Sequence, residues 1–359
     1  GKAYSEGLLR KAIERGKTTE DKAAALLGLI TPTTNYHDLA GCDLIIEAVF
    51  ESVKIKADVT AKTEAVVPES CIFASNTSTL PITGLAEASE RPEQFIGIHF
   101  FSPVDKMPLV EVILGKKTND EAIARSLDYI QQIRKTPIVV NDSRGFYTSR
   151  VFSTFTAEGI HMLAEGVKPA LIENAAKLVG MPVGPLAVTD EVTLELAHKI
   201  GKETAAALGR EYPADLSQEV VQKMVEELDR KGKRFGKGFY DYPKDAKKHL
   251  WDGLGKHFPV ADEQPDLDEL TKRLLTIQAL ETERCFEEGV LTHAEDADIG
   301  SIFGWGFPPY TGGTLSYIDT VGIREFVTRC DRMAETYGER FAVSDWLRAR
   351  AESGEDFHG

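Results

Sequence analysis

Apolar and polar positions along the first 140 residues keep changing period, which is how alternating helices and strands read. Leu8, Leu9, Ala12 and Ile13 recur at helical spacing before Gly16, and Thr18-Thr19-Glu20-Asp21 is a cap for a second helix. Asp43-Leu-Ile-Ile-Glu-Ala-Val49 is a near-continuous apolar run, bounded by Gly41 and by a charged helix from Val53 to Val67. A buried parallel strand and its crossover helix read this way. Cys71-Ile-Phe-Ala-Ser75, Phe95-Ile-Gly-Ile-His-Phe-Phe101 and Thr136-Pro-Ile-Val-Val140 repeat the strand signal. Strand–helix–strand alternation predicts an α/β domain with a parallel sheet over residues 1–140.

After Asn141 the period becomes helical throughout, with helices predicted over Phe146–Glu165 and Pro169–Leu178 and another after Gly180-Met-Pro-Val-Gly-Pro185. The Pro- and Lys-rich stretch from Tyr242 to Pro265 reads as a linker. Beyond it the pattern returns. Glu158-Gly-Ile-His-Met-Leu-Ala-Glu-Gly-Val167 matches Glu281-Thr-Glu-Arg-Cys-Phe-Glu-Glu-Gly-Val290, and Gly180-Met-Pro-Val-Gly-Pro185 matches Gly304-Trp-Gly-Phe-Pro-Pro309. Thr189-Asp190 and Ile318-Asp319 follow, the offset drifting from 123 to 129. Two unrelated blocks in one order predict a duplicated all-α module, residues 141–245 and then 246–359.

The 359 residues carry 42 basic and 57 acidic side chains, a net charge of −15, which disfavours a general grip on nucleic acid. No apolar run reaches the length of a membrane span. Cys42, Cys71, Cys285 and Cys330 are far apart and lack metal-ligand spacing. The expectation is a cytoplasmic protein with reduced thiols and no metal site.

The densest chemical signal is Gly97-Ile-His-Phe-Phe-Ser-Pro-Val104 with Leu109-Val-Glu-Val112. His99 ends an apolar strand, at the carboxyl edge of a sheet where ligands of open α/β folds bind. Glu111 lies inside another apolar strand, where a lone carboxylate is costly. If the strands are neighbours, Glu111 fixes the imidazole tautomer and frees the other nitrogen for proton transfer. A structural His and an edge-strand Glu fit the spacing equally well. Ser75-Asn-Thr-Ser-Thr-Leu80 either presents donors to a ligand or caps the helix begun at Pro81. Glu47, Glu51 and Lys56 flank the end of another strand, and Lys231-Gly-Lys-Arg-Phe-Gly-Lys-Gly-Phe239 is a basic, glycine-rich turn, attractive to phosphate or simply solvated. GxSxG, HExxH, a Walker loop and GxGxxG are all absent from the sequence.

In this order, with Gly145-Phe-Tyr and Gly236-Lys-Gly-Phe-Tyr240, the blocks resemble the L-3-hydroxyacyl-CoA dehydrogenase family over essentially the whole chain. The duplicated module is similar to the α-subunits of fatty-acid oxidation complexes. The resemblance implies oxidation of (3S)-3-hydroxyacyl-CoA to 3-oxoacyl-CoA with NAD, in a homo-oligomer or a complex with a thiolase subunit. It makes His99 the base for the 3-hydroxyl proton, Glu111 its orienting carboxylate, and Ser78 a contact to substrate oxygen and nicotinamide. Glu51, Lys56, Ser102 and Arg234 would contact the cofactor and Arg15 the CoA phosphates. Ser149 stands where the family usually has Asn, with a shorter reach. With no GxGxxG in the chain, the resemblance implies a truncated Rossmann-like sheet that binds NAD poorly by itself. The competing readings are a non-catalytic acyl-CoA-binding or subunit-docking piece, and a β-hydroxyacid dehydrogenase relying on a helical-domain Lys. The second helical copy, lacking a His–Glu pair, is expected to be structural.

Overall fold

The computed structural model describes every residue except Leu208. Helices α1 (Lys2–Glu14) and α2 (Glu20–Gly28) lead into β1 (Leu44–Glu47), α3 (Val53–Glu64), β2 (Ile72–Ser75), α4 (Ile82–Ala86), β3 (Phe95–Phe100), β4 (Leu109–Leu114), α5 (Asp120–Gln132) and β5 (Thr136–Asn141). Thr19 caps α2 and Asn119 caps α5, each side chain accepting a backbone N–H of the first turn. The strands form one sheet in sequence order. The expected parallel pairings are present at β1–β2, β2–β3 and β4–β5, while β3–β4 is antiparallel. The physical reason is length: the short stretch from Phe101 to Pro108 holds no crossover helix, so the chain must turn back.

Alternation along the strands builds two apolar layers. Ile72, Ala74, Ile96, Ile98, Val110 and Val112 pack on α5, whereas Phe73, Phe95, Leu109 and Ile113 join the core shared with the helices. β1 is the edge strand, and its first three residues are only half-buried. α1 buries none of its residues fully, and Leu29 and Phe50 near that edge are about four-fifths exposed (80% and 83%).

The helical part runs α6 (Thr148–Ala164), α7 (Pro169–Leu178), α8 (Pro185–Val192), α9 (Leu194–Ala207), α10 (Leu216–Gln222), α11 (Leu254–His257), α12 (Leu267–Glu287), α13 (Ala294–Trp305), α14 (Thr314–Val321), α15 (Ile323–Tyr337) and α16 (Asp345–Ser353). The stretch expected to be a linker is instead folded. β6 (Tyr240–Asp241) pairs with β7 (His249–Leu250), Trp251 stacks on the Arg230 guanidinium at 4.1 Å, and Ala261 N–H donates to Gly166 O.

The duplication is visible bond by bond. Glu173 caps α8 by accepting the Leu186 N–H at 2.8 Å, and Asp298 caps α14 by accepting the Leu315 N–H at 2.9 Å. Asp190 accepts the N–H groups of Phe239 and Tyr240, as Asp319 accepts those of Phe357 and His358. The Gly236-Lys-Gly-Phe-Tyr240 motif therefore has a packing role: a Cβ on Gly238 would lie 1.9 Å from Asp190 Oδ1.

Helices α6 and α12 carry the contact between the copies, and their ion pairs are exchanged. Arg150 of the first copy bonds Glu281 and Glu288 of the second, while Arg273 of the second bonds Glu158 and Glu165 of the first. Asn141 Nδ2 donates to Gly289 O, and Gln264 Nε2 donates to Gly166 O. Every partner is displaced by 123 positions, so the copies face each other across a local two-fold, as in an isologous dimer.

Candidate active site

β3 and β4 bring His99 and Glu111 directly opposite each other in register. His99 Nδ1 lies 2.9 Å from Glu111 Oε2. A carboxylate only accepts, so Nδ1 carries the proton, and Nε2 has no protein partner among the described residues. His99 is 7% exposed, packed against the rings of Phe101 and Phe146, while Glu111 is fully buried.

The sharp turn Gly145–Phe146 aims the start of α6 at that carboxylate. Both residues sit at positive φ (76° and 52°), a conformation that favours glycine and that buried Phe146 adopts at some strain. The N–H groups of Tyr147 and Thr148 donate to Glu111 Oε1, each at 3.0 Å, and Thr148 Oγ1 donates to Oε2 at 2.6 Å. A carboxylate offers about four acceptor sites, and here His99 and these three donors fill them. The positive end of α6 adds to the same field.

A second cluster closes the carboxyl ends of β1 and β2. Lys56 is buried, its ammonium 2.9 Å from Glu47 Oε1 and 3.4 Å from Glu51 Oε2. Ser75 Oγ also bonds Glu47, and Thr77 Oγ1, Ser78 N–H and Ser78 Oγ donate to Glu51. Because its charge is taken by two carboxylates, Lys56 orients Glu51 more directly than it offers itself to a ligand. Asn76 Oδ1 accepts the Phe100 N–H, and Thr79 O accepts the Gly145 N–H, so the Ser78 turn is tied both to the residue after His99 and to the turn before α6.

Of the residues singled out in the sequence, His99, Glu111, Ser78, Glu51 and Lys56 thus lie on one bonded edge, with half-buried Ser149 in the first turn of α6. Ser102 is exposed in the loop after β3. Arg234 is exposed on the turn Lys233–Phe235 and Arg15 is exposed just past α1, and among the described residues no bond joins either to the edge. Sequence reasoning missed Thr148. The available signal was a Gly-initiated helix start beside a strand carrying an unpaired acid.

A model of the 3-hydroxyacyl-CoA dehydrogenase NAD-binding domain matches residues 1–143, and one of the C-terminal domain of 3-hydroxyacyl-CoA dehydrogenase matches residues 145–242. The solved (S)-3-hydroxybutyryl-CoA dehydrogenase from Ralstonia eutropha is 34% identical, over 67% of this chain and 85% of that one, with a TM-score of 0.62. The chain belongs to the 3-hydroxyacyl-CoA dehydrogenase family. A fatty acid oxidation complex subunit alpha from Shewanella loihica is 40% identical over 99% of this chain and 50% of its own length. The chain therefore spans about half the length of the curated relatives it matches. The 3-hydroxybutyryl-CoA dehydrogenase from Escherichia coli K12, 24% identical, shares the fold over 98% of this chain and 90% of that one at a TM-score of 0.83. Within this dehydrogenase family, the His99–Glu111 edge falls in the part matched by the NAD-binding domain and Thr148 in the part matched by the C-terminal domain.

Proposed function

We propose that the chain performs the proton-transfer half of (3S)-3-hydroxyacyl-CoA oxidation to 3-oxoacyl-CoA in fatty-acid breakdown, with NAD as oxidant. The observation that carries this reading is the buried His99–Glu111 pair with its second imidazole nitrogen free at the carboxyl edge of the sheet. NAD supplies the acceptor for the hydride leaving C3. His99 Nε2 takes the 3-hydroxyl proton as the carbonyl forms, and Glu111 stabilises the resulting imidazolium at Nδ1. In the reverse direction the imidazolium returns that proton to the carbonyl oxygen. Ser78, bonded to part-exposed Glu51, has a hydroxyl suited to the substrate oxygen, and Ser149 stands within the same turn as Thr148.

The residues fit the nicotinamide end of NAD: Glu51 is an acceptor 35% exposed at the strand edge, steadied by Lys56. For the pyrophosphate, residues 1–143 contain no GxGxxG, which favours weak retention of NAD by this chain alone. Ser102 and Arg234 are proposed to help hold the cofactor, and Arg15 the CoA phosphates. Free cysteines agree with a reducing, cytoplasmic setting, and no described helix is long and apolar enough to cross a membrane. A thiolase subunit or a second copy of the chain is the proposed partner.

The test is NADH oxidation with acetoacetyl-CoA by the wild-type chain and by His99→Gln, with calorimetric titration of each ligand. Turnover that falls at least about 100-fold in the variant supports the reading. Acetoacetyl-CoA binding without turnover would make the chain a thioester-binding piece. Equal turnover in both proteins refutes the role of His99.

A further inference from the structure

We infer that Thr148 is a positioning residue of the His99–Glu111 pair, holding the carboxylate from the first turn of the helical module and setting the pH at which the pair takes up its proton. This rests on the dehydrogenase reading only for its catalytic consequence, and its geometry stands apart from it.

A Thr at the start of a helix usually serves the helix itself, by capping it or by bonding a carbonyl of the previous turn. Thr148 does neither. The residue in the capping position of α6 is Tyr147, whose side chain makes no cap bond. The first N–H groups of α6 are taken by Glu111, a residue from another domain, so the carboxylate is the cap. The Thr148 hydroxyl then donates to Oε2, the same oxygen that receives His99 Nδ1, and the 2.6 Å contact is shorter than the 2.9 Å one.

The duplicated module supplies a control. The residue 123 positions later is again a threonine, Thr271, the fifth residue of α12. The second copy has no His–Glu pair, and there the hydroxyl bonds its own helix, Thr271 Oγ1 to Asp268 O at 2.8 Å. At the equivalent place in the repeat the hydroxyl thus serves its own helix in the second copy, and in the first, where α6 starts at Thr148 itself, it serves the dyad.

The consequence follows from sharing one oxygen. A hydrogen bond donated to a carboxylate stabilises its negative charge and lowers its proton affinity. With Thr148 in place, Glu111 pulls less strongly on the imidazolium than it would with His99 as its only side-chain donor. Removing the hydroxyl concentrates that pull on Nδ1, and the pair protonates at higher pH. The other charged or titratable groups around the pair are already engaged elsewhere. Arg150, next but one along α6, is held by Glu281 and Glu288, and Asp296 and Asp298 on α13 accept backbone N–H groups. The Cys285 thiol on α12 is pushed up by burial and stays neutral. Among the described residues none of these bonds either His99 or Glu111.

The experiment compares the full chain with Thr148→Val, which keeps the shape and loses the hydroxyl, and Thr148→Ser, which keeps the hydroxyl. The His99 imidazole is followed by NMR through a pH titration, assigned with His99→Gln, and the pH profile of kcat/KM for NADH oxidation is recorded alongside. Thr148→Val moves the His99 transition to higher pH, and with it the alkaline limb of the profile, where the imidazolium that returns the proton is lost; with the carboxylate less firmly held, kcat/KM on the plateau falls about tenfold. Thr148→Ser returns both toward wild type. A His99 transition that does not move in Thr148→Val, or that moves equally in Thr148→Ser, overturns the inference even if turnover changes. Should Thr148→Val fold poorly, Thr148→Ala makes the same comparison. Absence of turnover in every protein counts against the dehydrogenase reading, and the NMR titration still decides the role of Thr148.

Discussion

Replacing Glu283 by Met should stabilise the protein, and by an amount that grows with pH. Glu283 is on α12, fully buried, and neither carboxylate oxygen has a protein partner among the described residues. Burial, reinforced by Glu287, pushes its carboxyl from 4.5 up to about 8. The sign follows from linkage: a carboxyl raised in the folded state favours folding below its unfolded value, and that contribution is lost as pH rises toward 8. At neutral pH the folded chain must hold a proton that the unfolded chain has released, at about 1.4 kcal/mol per pH unit, or roughly 3 kcal/mol. The figure falls to roughly 1 kcal/mol at about pH 5.5 and levels off at roughly 5 kcal/mol above about pH 8. An apolar side chain suits the site, because the residue 123 positions earlier in the first copy is Ile160, itself 3% exposed. Urea and thermal midpoints of wild type and Glu283→Met at about pH 5.5, 7 and 8.5 measure the gap. A gap that stays constant with pH, or a variant less stable at the highest pH, refutes the reasoning, since it would mean that Glu283 is ionised and partnered.

The exchanged ion pairs should be unequal. Arg273→Met leaves buried Glu158 short of a partner and should cost about 3–5 kcal/mol, whereas Arg150→Met, between the more exposed Glu281 and Glu288, should cost about 1 kcal/mol in urea midpoints. Gly238→Ala drives a methyl into Asp190 and should cost more than about 2 kcal/mol, while Gly255→Ala, with nothing within 4 Å of its Cβ, should leave the melting temperature unchanged or slightly raised.

The strands of the sheet were legible because each is a short apolar run with glycine, proline or a charged helix at its ends. The direction of β4 was not, since nothing local in Leu109–Leu114 distinguishes a parallel from an antiparallel neighbour; only the length of the connection does. His99 and Glu111 stood out as polar residues within apolar strands, and their pairing then needed only adjacent strands. Lys56, a cofactor contact by the resemblance, is buried beside two carboxylates, a placement that depends on the tertiary position of Glu47. Thr148 was hidden because threonine at a helix start is ordinary, and its bond crosses from one domain to the other. The repeat was visible as matching words, but the exchange of partners between copies exists only in three dimensions.

That exchange sets an order of events during synthesis. Glu158 leaves the ribosome 115 residues before Arg273 and 182 before Arg340, the two cations that neutralise it. At elongation rates of about 5–20 residues per second the first of these arrives about 6–23 s later. For that interval α6 carries an acid destined for the interior with nothing to meet it, and its apolar face waits for α12. The first helical copy is therefore a late-finishing element even though it is made early. A ribosome-bound chain stalled before Arg273 should be cut by protease within α6, and one released past Arg340 should resist.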